Sequence, residues 1–183
     1  MMTMTLELPN LRRPGRGLDR LPPNQAQGKS RLGPLALLDA LQAYVTEMNG
    51  LLPVAAPHLI ERQYELLELT DDLEIWAIHW PRGQRLELHD HGGSVGALWV
   101  VSGSLEEHYI QAQGTVARRT LVTDGGAAFG PAYIHDVVNA QLNPATSVHA
   151  YSPPMESMTF YRQEAQGLVV DRTEHRSDPS WAP

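Results

Sequence analysis

The feature that most restricts the fold is a dense succession of short apolar runs and turn residues from about residue 62 onward. Runs in which apolar and polar positions alternate are typical of β-strands, and many short strands at close spacing favour an antiparallel sandwich or barrel. The predicted strands are 63–69, 73–80, 85–91, 95–101, 104–110, 116–122, 126–129, 134–138, 146–151, 157–162 and 168–172. We therefore expect a mainly β fold.

A short helical segment precedes these strands. Leu35, Leu38 and Leu41 recur at three-residue spacing, which predicts a helix over residues 35–49. A further helical turn could lie at residues 55–62.

The two ends of the chain differ in composition from its centre. Residues 8–34 are rich in Pro, Gly, Arg and Asn, so we expect residues 1–33 to form a mobile N-terminal extension. Residues 34–183 are then a single domain, since a chain of 183 residues suggests one domain with an appended tail. The tail after about residue 172 is polar.

The charge distribution argues against nucleic acid as a partner. The net charge is −7 although residues 1–33 are basic, so the remainder of the chain is strongly acidic and would repel phosphates. The absence of cysteine excludes disulfides, zinc–thiolate sites and a cysteine nucleophile. No apolar run approaches the ~20 residues of a membrane span, and no secretory signal is recognisable. We expect a cytoplasmic monomer without membrane or nucleic-acid partners.

Three of the eight histidines are candidate metal ligands. His89 and His91 occupy positions i and i+2 of a predicted strand, where alternate side chains point to the same face. His135 lies at the start of a later strand and could supply a third nitrogen. Three neutral imidazoles leave coordination positions open for substrate and oxygen.

The spacing around these histidines resembles the two signatures of the cupin barrels. Gly83, five residues, His89-Asp90-His91 and then Gly103 follow the first signature, G-x5-H-x-H-x3,4-E-x6-G, except that its glutamate position is Gly96. The segment 135–139 matches the H-x3-N ending of the second signature. Two spaced motifs on a strand-rich chain are far more specific than an isolated H-x-H.

The segments LHDHGGSVGALWVVSGSLEE (88–107), IHDVVN (134–139) and SVHAYSPP (147–154) resemble the cysteine dioxygenase family of thiol dioxygenases. The resemblance runs from about Tyr64 to Phe160. It implies a cupin (jelly-roll-like) barrel with one iron(II) per chain, held by His89, His91 and His135. The missing glutamate ligand is a feature of that family.

The resemblance also implies a catalytic relay of Ser147, His149 and Tyr151 beside the iron. Period-two spacing places all three side chains on one face of a strand. The serine would orient the imidazole, and the imidazole would hydrogen-bond the tyrosine, whose hydroxyl would face bound substrate or oxygen.

The chain departs from the family at two positions. Gly96 stands where vertebrate members carry a cysteine cross-linked to the tyrosine. Aligning Tyr64 places Leu66 where cysteine-specific members use an arginine to hold the substrate carboxylate, and leucine cannot make that contact. The candidate replacements are Arg62, Arg82, Arg85 and Arg162. We rank Arg162 first for substrate binding, because it lies on the strand after the relay.

The resulting hypothesis is an iron(II)-dependent dioxygenase that converts a small thiol and O2 into a sulfinic acid. Cysteine, 3-mercaptopropionate, mercaptosuccinate and a betaine thiol such as ergothioneine are the candidate substrates. The alternatives are a metal-dependent cupin isomerase or lyase, and a non-catalytic ligand-binding cupin. Isomerases usually keep the glutamate ligand, and the binding class tends to lose ligand histidines.

Overall fold

The computed structural model describes residues 32–48, 50–112, 114–179 and 181. Within these residues the chain forms one helix and eleven strands. In chain order they are α1 (Pro34–Glu47), β1 (Gln63–Leu69), β2 (Glu74–Trp80), β3 (Arg85–His89), β4 (Val95–Ser102), β5 (Ser104–Ile110), β6 (Val116–Val122), β7 (Gly126–Phe129), β8 (His135–Val138), β9 (Ala145–Ser152), β10 (Ser157–Glu164) and β11 (Gly167–His175). The predicted mainly β fold with a short N-terminal helix is confirmed.

The strands form two antiparallel sheets. The first has the order β1-β2-β9-β4-β7 and the second has the order β11-β10-β3-β8-β5-β6. Apolar side chains from both sheets meet in one buried core, which fills the space between them. Its members include Trp76, Ile78, Trp80, Leu98 and Val100 from the first sheet and Leu86, Leu105, Val137, Met158 and Phe160 from the second.

Helix α1 covers the outer face of the first sheet. Leu37 and Leu41 are buried against Ile75, Ala77 and Val148, whose side chains point away from the space between the sheets. All of β2 and β9 is therefore buried. This explains why β2 reads as a nearly continuous apolar run, whereas the polar residues of β9 are buried and have hydrogen-bond partners.

The strand predictions are largely confirmed, with corrections at two ends. Strand β3 ends at His89 instead of continuing to residue 91. The chain turns at Gly92, where φ is 58° and an added Cβ would lie 2.5 Å from the carbonyl oxygen of Ser157. At the other end, β11 continues to His175, so the polar segment after residue 172 begins as an edge strand.

The helix prediction for residues 35–49 is confirmed by α1, whereas the helical turn at residues 55–62 is wrong. Pro53 and Pro57 restrict the backbone there, and the amide of Ala55 donates to Oγ1 of Thr146 instead of to a helical carbonyl. The extension expected for residues 1–33 lies almost wholly outside the described residues. No helix in the described ranges has the length and apolar character that crossing a membrane requires.

Candidate metal centre

The structure brings His89, His91 and His135 together in the space between the sheets. His89 ends β3 and lies directly opposite His135, the first residue of β8. His91 follows two residues after β3. The three ring centroids are 4.7–5.0 Å apart, and each residue is only 1% exposed. Strand register therefore unites ligands that are more than forty residues apart in sequence.

The three rings form a donor set that fits a divalent metal ion. One nitrogen from each lies within 4.8 Å of the others, and Nε2 of His91 is 3.2 Å from Nε2 of His135. Nitrogens bound to one ion at about 2.0–2.1 Å would be separated by roughly this distance. Burial lowers the pKa of His89 to about 4 and holds the pKa values of His91 and His135 well below the usual range. All three imidazoles are therefore neutral near pH 7, as metal ligands must be.

Two of the three rings are oriented by acceptors. Nδ1 of His135 donates to Oε1 of Glu107 at 2.7 Å, and Nδ1 of His89 donates to the carbonyl oxygen of Glu87 at 2.7 Å. Because a carboxylate and a carbonyl only accept, the proton sits on Nδ1 and the Nε2 lone pair is free for a metal. Nδ1 of His91 is buried and has no partner among the described residues.

Glu107 is a functional residue that the sequence reasoning missed. It is fully buried on β5 and accepts from the hydroxyl of Tyr133 at 3.0 Å and from Nε of Arg119, as well as from His135. The guanidinium compensates the buried negative charge, which would otherwise be costly. A signal was available: Glu107 follows the apolar Leu105 at i+2 and therefore shares its inward face.

Gly96 lies at the position where a glutamate ligand is usual, and an aromatic ring fills that space. Gly96 pairs with Phe129 on one side and with Tyr151 on the other. An added Cβ would lie 2.0 Å from the ring of Phe129, which in turn stacks on His91 at 4.7 Å between centroids. A carboxylate side chain at residue 96 would therefore require the ring of Phe129 to move.

The relay residues form a continuous chain of contacts on the inner face of β9. Oγ of Ser147 is 2.8 Å from Nε2 of His149, and Nδ1 of His149 is 3.3 Å from the hydroxyl of Tyr151. The ring of Tyr151 stacks on His91 with a centroid distance of 5.2 Å. Nε1 of Trp80 donates to Oγ of Ser147 at 2.8 Å and extends the chain by one residue.

Burial sets the protonation states of this chain. It lowers the pKa of His149 to about 3, and it raises the pKa of Tyr151 well above its ordinary value, with a smaller contribution from the charge of Glu74. Near neutral pH the imidazole of His149 is therefore uncharged and the hydroxyl of Tyr151 keeps its proton.

The structure does not bring Arg162 to the three histidines, which corrects its first rank among the candidate substrate contacts. Its side chain is 61% exposed, and it pairs with Glu164 at 3.1 Å and with Asp171 at 3.4 Å. The physical reason is that β10 pairs only with the edge strand β11 at this point, so the side chain remains in solvent. Arg82 is likewise exposed, and Arg85 is paired with Asp136.

Of the four candidate arginines, Arg62 is the one whose charge acts on the buried histidines. Its guanidinium carbon is 5.5 Å from the ring centroid of Trp80, and no carboxylate in the described residues is within ion-pair distance of it. Burial is the largest cause of the lowered pKa values of His89 and His149, and the positive charge of Arg62 lowers both further. Tyr64 and Leu66 follow on β1 opposite Ile78 and Trp76, on the barrel side of an edge strand, and are partly exposed.

Comparison with known proteins agrees with this geometry. The family model described as "Cysteine dioxygenase type I" matches residues 61–164, and the chain belongs to this family. An oxalate oxidase structure in complex with the substrate analogue glycolate has a TM-score of 0.50 at 11% identity, over 59% of this chain and 59% of that chain. An uncharacterised protein with a double-stranded β-helix domain from Klebsiella pneumoniae has a TM-score of 0.46 at 22% identity, over 63% and 89%. The predicted cupin class is confirmed.

Proposed function

We propose that the chain is an iron(II)-dependent thiol dioxygenase that converts a small thiol acid and O2 into the corresponding sulfinic acid. The observation that carries this proposal is a buried donor set of three neutral histidines, with Phe129 filling the space at Gly96 where a fourth, acidic ligand would stand. Membership of the cysteine dioxygenase family supports the same chemistry.

His89, His91 and His135 would hold the ion through their Nε2 atoms. Bound iron(II) would supply the redox chemistry that joins both atoms of O2 to the sulfur of the thiol. The protein supplies a buried site between the sheets and the side chain of Tyr151, whose ring stacks on the ring of His91. Ser147 and His149 hold the hydroxyl of Tyr151 in place as a hydrogen-bond partner for the reacting groups.

Arg62 would bind the carboxylate of the substrate. Its guanidinium stacks over Trp80 and retains its N–H groups for a ligand, since no carboxylate of the described residues occupies them. A guanidinium can form two parallel, charge-assisted hydrogen bonds with a carboxylate. The favoured substrates are therefore thiols that carry an acid group, such as cysteine, 3-mercaptopropionate or mercaptosuccinate, instead of an amine such as cysteamine.

Oxygen uptake by the iron-loaded full chain tests this proposal. We expect thiol-dependent uptake with one or more acidic thiols and none with cysteamine at the same concentration. Arg62→Gln should raise KM for the best substrate by about 10- to 100-fold, the range typical of a lost charged hydrogen bond. Arg162→Gln, an exposed arginine, is the matched control and should leave KM unchanged.

Two results would count against the proposal. The absence of thiol-dependent uptake across cysteine, 3-mercaptopropionate, mercaptosuccinate, cysteamine and ergothioneine, with iron confirmed bound, would contradict the dioxygenase assignment. An unchanged KM in Arg62→Gln would remove Arg62 from the substrate site while leaving the reaction itself intact.

A further inference from the structure

Trp80 stands at the head of the hydrogen-bond chain that ends at Tyr151. Trp80 is fully buried, and its Nε1 lies 2.8 Å from Oγ of Ser147. Its position is held from the other side as well, because Nδ2 of Asn139 donates to the carbonyl oxygen of Trp80 at 2.9 Å. Trp80 is therefore held at both its backbone carbonyl and its ring nitrogen.

The chemistry of the indole gives the chain a direction. An indole N–H can only donate, so Oγ of Ser147 must accept from Trp80. In the described residues the other partner of this hydroxyl is Nε2 of His149 at 2.8 Å, so the serine proton points to Nε2. A neutral imidazole that accepts at Nε2 carries its proton on Nδ1.

The same logic continues to the tyrosine. Nδ1 of His149 then donates to the hydroxyl oxygen of Tyr151, at a distance of 3.3 Å. The proton of that hydroxyl cannot point back at His149 and is left free to point elsewhere. The ring of Tyr151 stacks on His91, so the residue that carries this free donor contacts the three-histidine cluster.

We propose that Trp80 is a positioning residue: its donor-only N–H orients the chain Ser147, His149, Tyr151 so that the tyrosine presents a proton to the metal pocket. Removing the indole N–H removes the constraint at the head of the chain. Tyr151 can then donate to Nδ1 of His149, with Nε2 protonated and donating to Ser147. That reversed arrangement presents an acceptor, not a donor, to the pocket.

The tautomer of His149 shows the direction of the hydrogen bonds from Trp80 to Tyr151, and it can be measured without enzymatic turnover. We would record long-range ¹H–¹⁵N NMR spectra of the full chain with ¹⁵N-labelled histidine, using His149→Gln to identify the signal. The wild type should show the Nδ1–H tautomer. In Trp80→Phe the ratio of Nδ1–H to Nε2–H should fall on the order of tenfold, because without the indole N–H the oxygen of Ser147 accepts a hydrogen bond only in the reversed arrangement.

The same strand provides a matched control. Trp76 is also buried on the inner face of β2, but its Nε1 has no hydrogen-bond partner in the described part of the chain. Trp76→Phe removes an equivalent ring and should leave the His149 tautomer as in the wild type. An Nε2–H tautomer in the wild type, or an unchanged tautomer ratio in Trp80→Phe, would overturn the proposal. The first of these results overturns it even if Trp80→Phe fails to fold.

The consequence for rate rests on the proposed function and is measured separately. In the iron-loaded protein, Trp80→Phe should lower kcat by the same factor as the Nδ1–H fraction of His149 falls in the NMR spectra, with a smaller change in KM. Adding it to Tyr151→Phe should lower kcat no further, and an additional tenfold loss would contradict the role of Trp80. If even the wild type consumes no O2 with thiols, the dioxygenase proposal fails while the tautomer measurement still decides the direction of the chain.

Discussion

The two sheets contribute histidines that are anchored in different ways. On the second sheet, the Nδ1 atoms of His89 and His135 donate to a carbonyl and to the carboxylate of Glu107. On the first sheet, both nitrogens of His149 face hydroxyl groups, those of Ser147 and Tyr151. A partner that only accepts fixes the proton on Nδ1 and leaves the Nε2 lone pair available for a metal. Hydroxyl partners can donate or accept, so a ring between two hydroxyls can connect them in a hydrogen-bond chain.

In the proposed site, the role of a histidine is set by the partner of its Nδ1 atom. The rings of His91, His89, His135 and His149 are all buried, and burial lowers the pKa of each, so burial does not distinguish a proposed ligand from the proposed relay. The partner of Nδ1 does distinguish them: it is a carbonyl or carboxylate for His89 and His135 and a hydroxyl for His149. Changes on the second sheet should therefore affect metal binding, and changes on the first sheet should affect turnover with the metal still in place.

The largest expected effect is the loss of a ligand from the second sheet. His135→Ala removes one of three nitrogens and should abolish iron retention after desalting, measured by elemental analysis. His58→Ala, an exposed histidine, should keep the wild-type iron content. Normal iron content in His135→Ala would remove this residue from the donor set.

Glu107→Gln is the next test of the second sheet. The amide can still contact the ring of His135, but it loses the negative charge that fixes the Nδ1–H tautomer. Metal affinity should fall about 10- to 100-fold, the usual effect of losing a hydrogen-bond partner of a ligand. Competition with a chelator measures the affinity, and Glu106→Gln, the less buried neighbour on the opposite strand face, is the control. Equal affinities in the two variants would mean that the carboxylate does not orient His135.

Tyr151→Phe tests the first sheet. It should keep the wild-type iron content and lower kcat on the order of a hundredfold, a typical contribution of a positioned proton donor. Tyr44→Phe on α1 is the control and should change neither quantity. Loss of iron from Tyr151→Phe would contradict the claim that changes on the first sheet affect turnover but not metal binding.

The smallest effect is a dependence of stability on pH that both sheets share. The folded-state pKa values of His89 and His149 are about 4 and about 3, below the value of 6.5 for an unperturbed histidine. The unfolded chain therefore binds more protons than the folded chain between pH 6.5 and about 4, so stability falls as the pH falls through this window. Urea midpoints of the metal-free chain should show the decline. A flat profile would mean that these rings are accessible to protons in the fold.

Local patterns predicted most of the strands, because alternation and turn residues are local properties. The three candidate ligands were predicted from motif spacing together with the resemblance to the thiol dioxygenases, and the proposed relay from that resemblance. Glu107 and the ring of Phe129 were not assigned, and Arg62 was one of four candidates and ranked behind Arg162, because their positions depend on which strands become neighbours. Glu107 meets His135 across 28 residues of sequence, and that register arises only when the barrel closes.

The most direct measurement of the central claim is mass spectrometry of the product formed from an acidic thiol under ¹⁸O₂ by the iron-loaded chain. The account predicts a sulfinic acid in which both added oxygen atoms carry the label, and no product from the His135→Ala variant. A disulfide as the sole product, or a sulfinic acid whose oxygen comes from water, would contradict it.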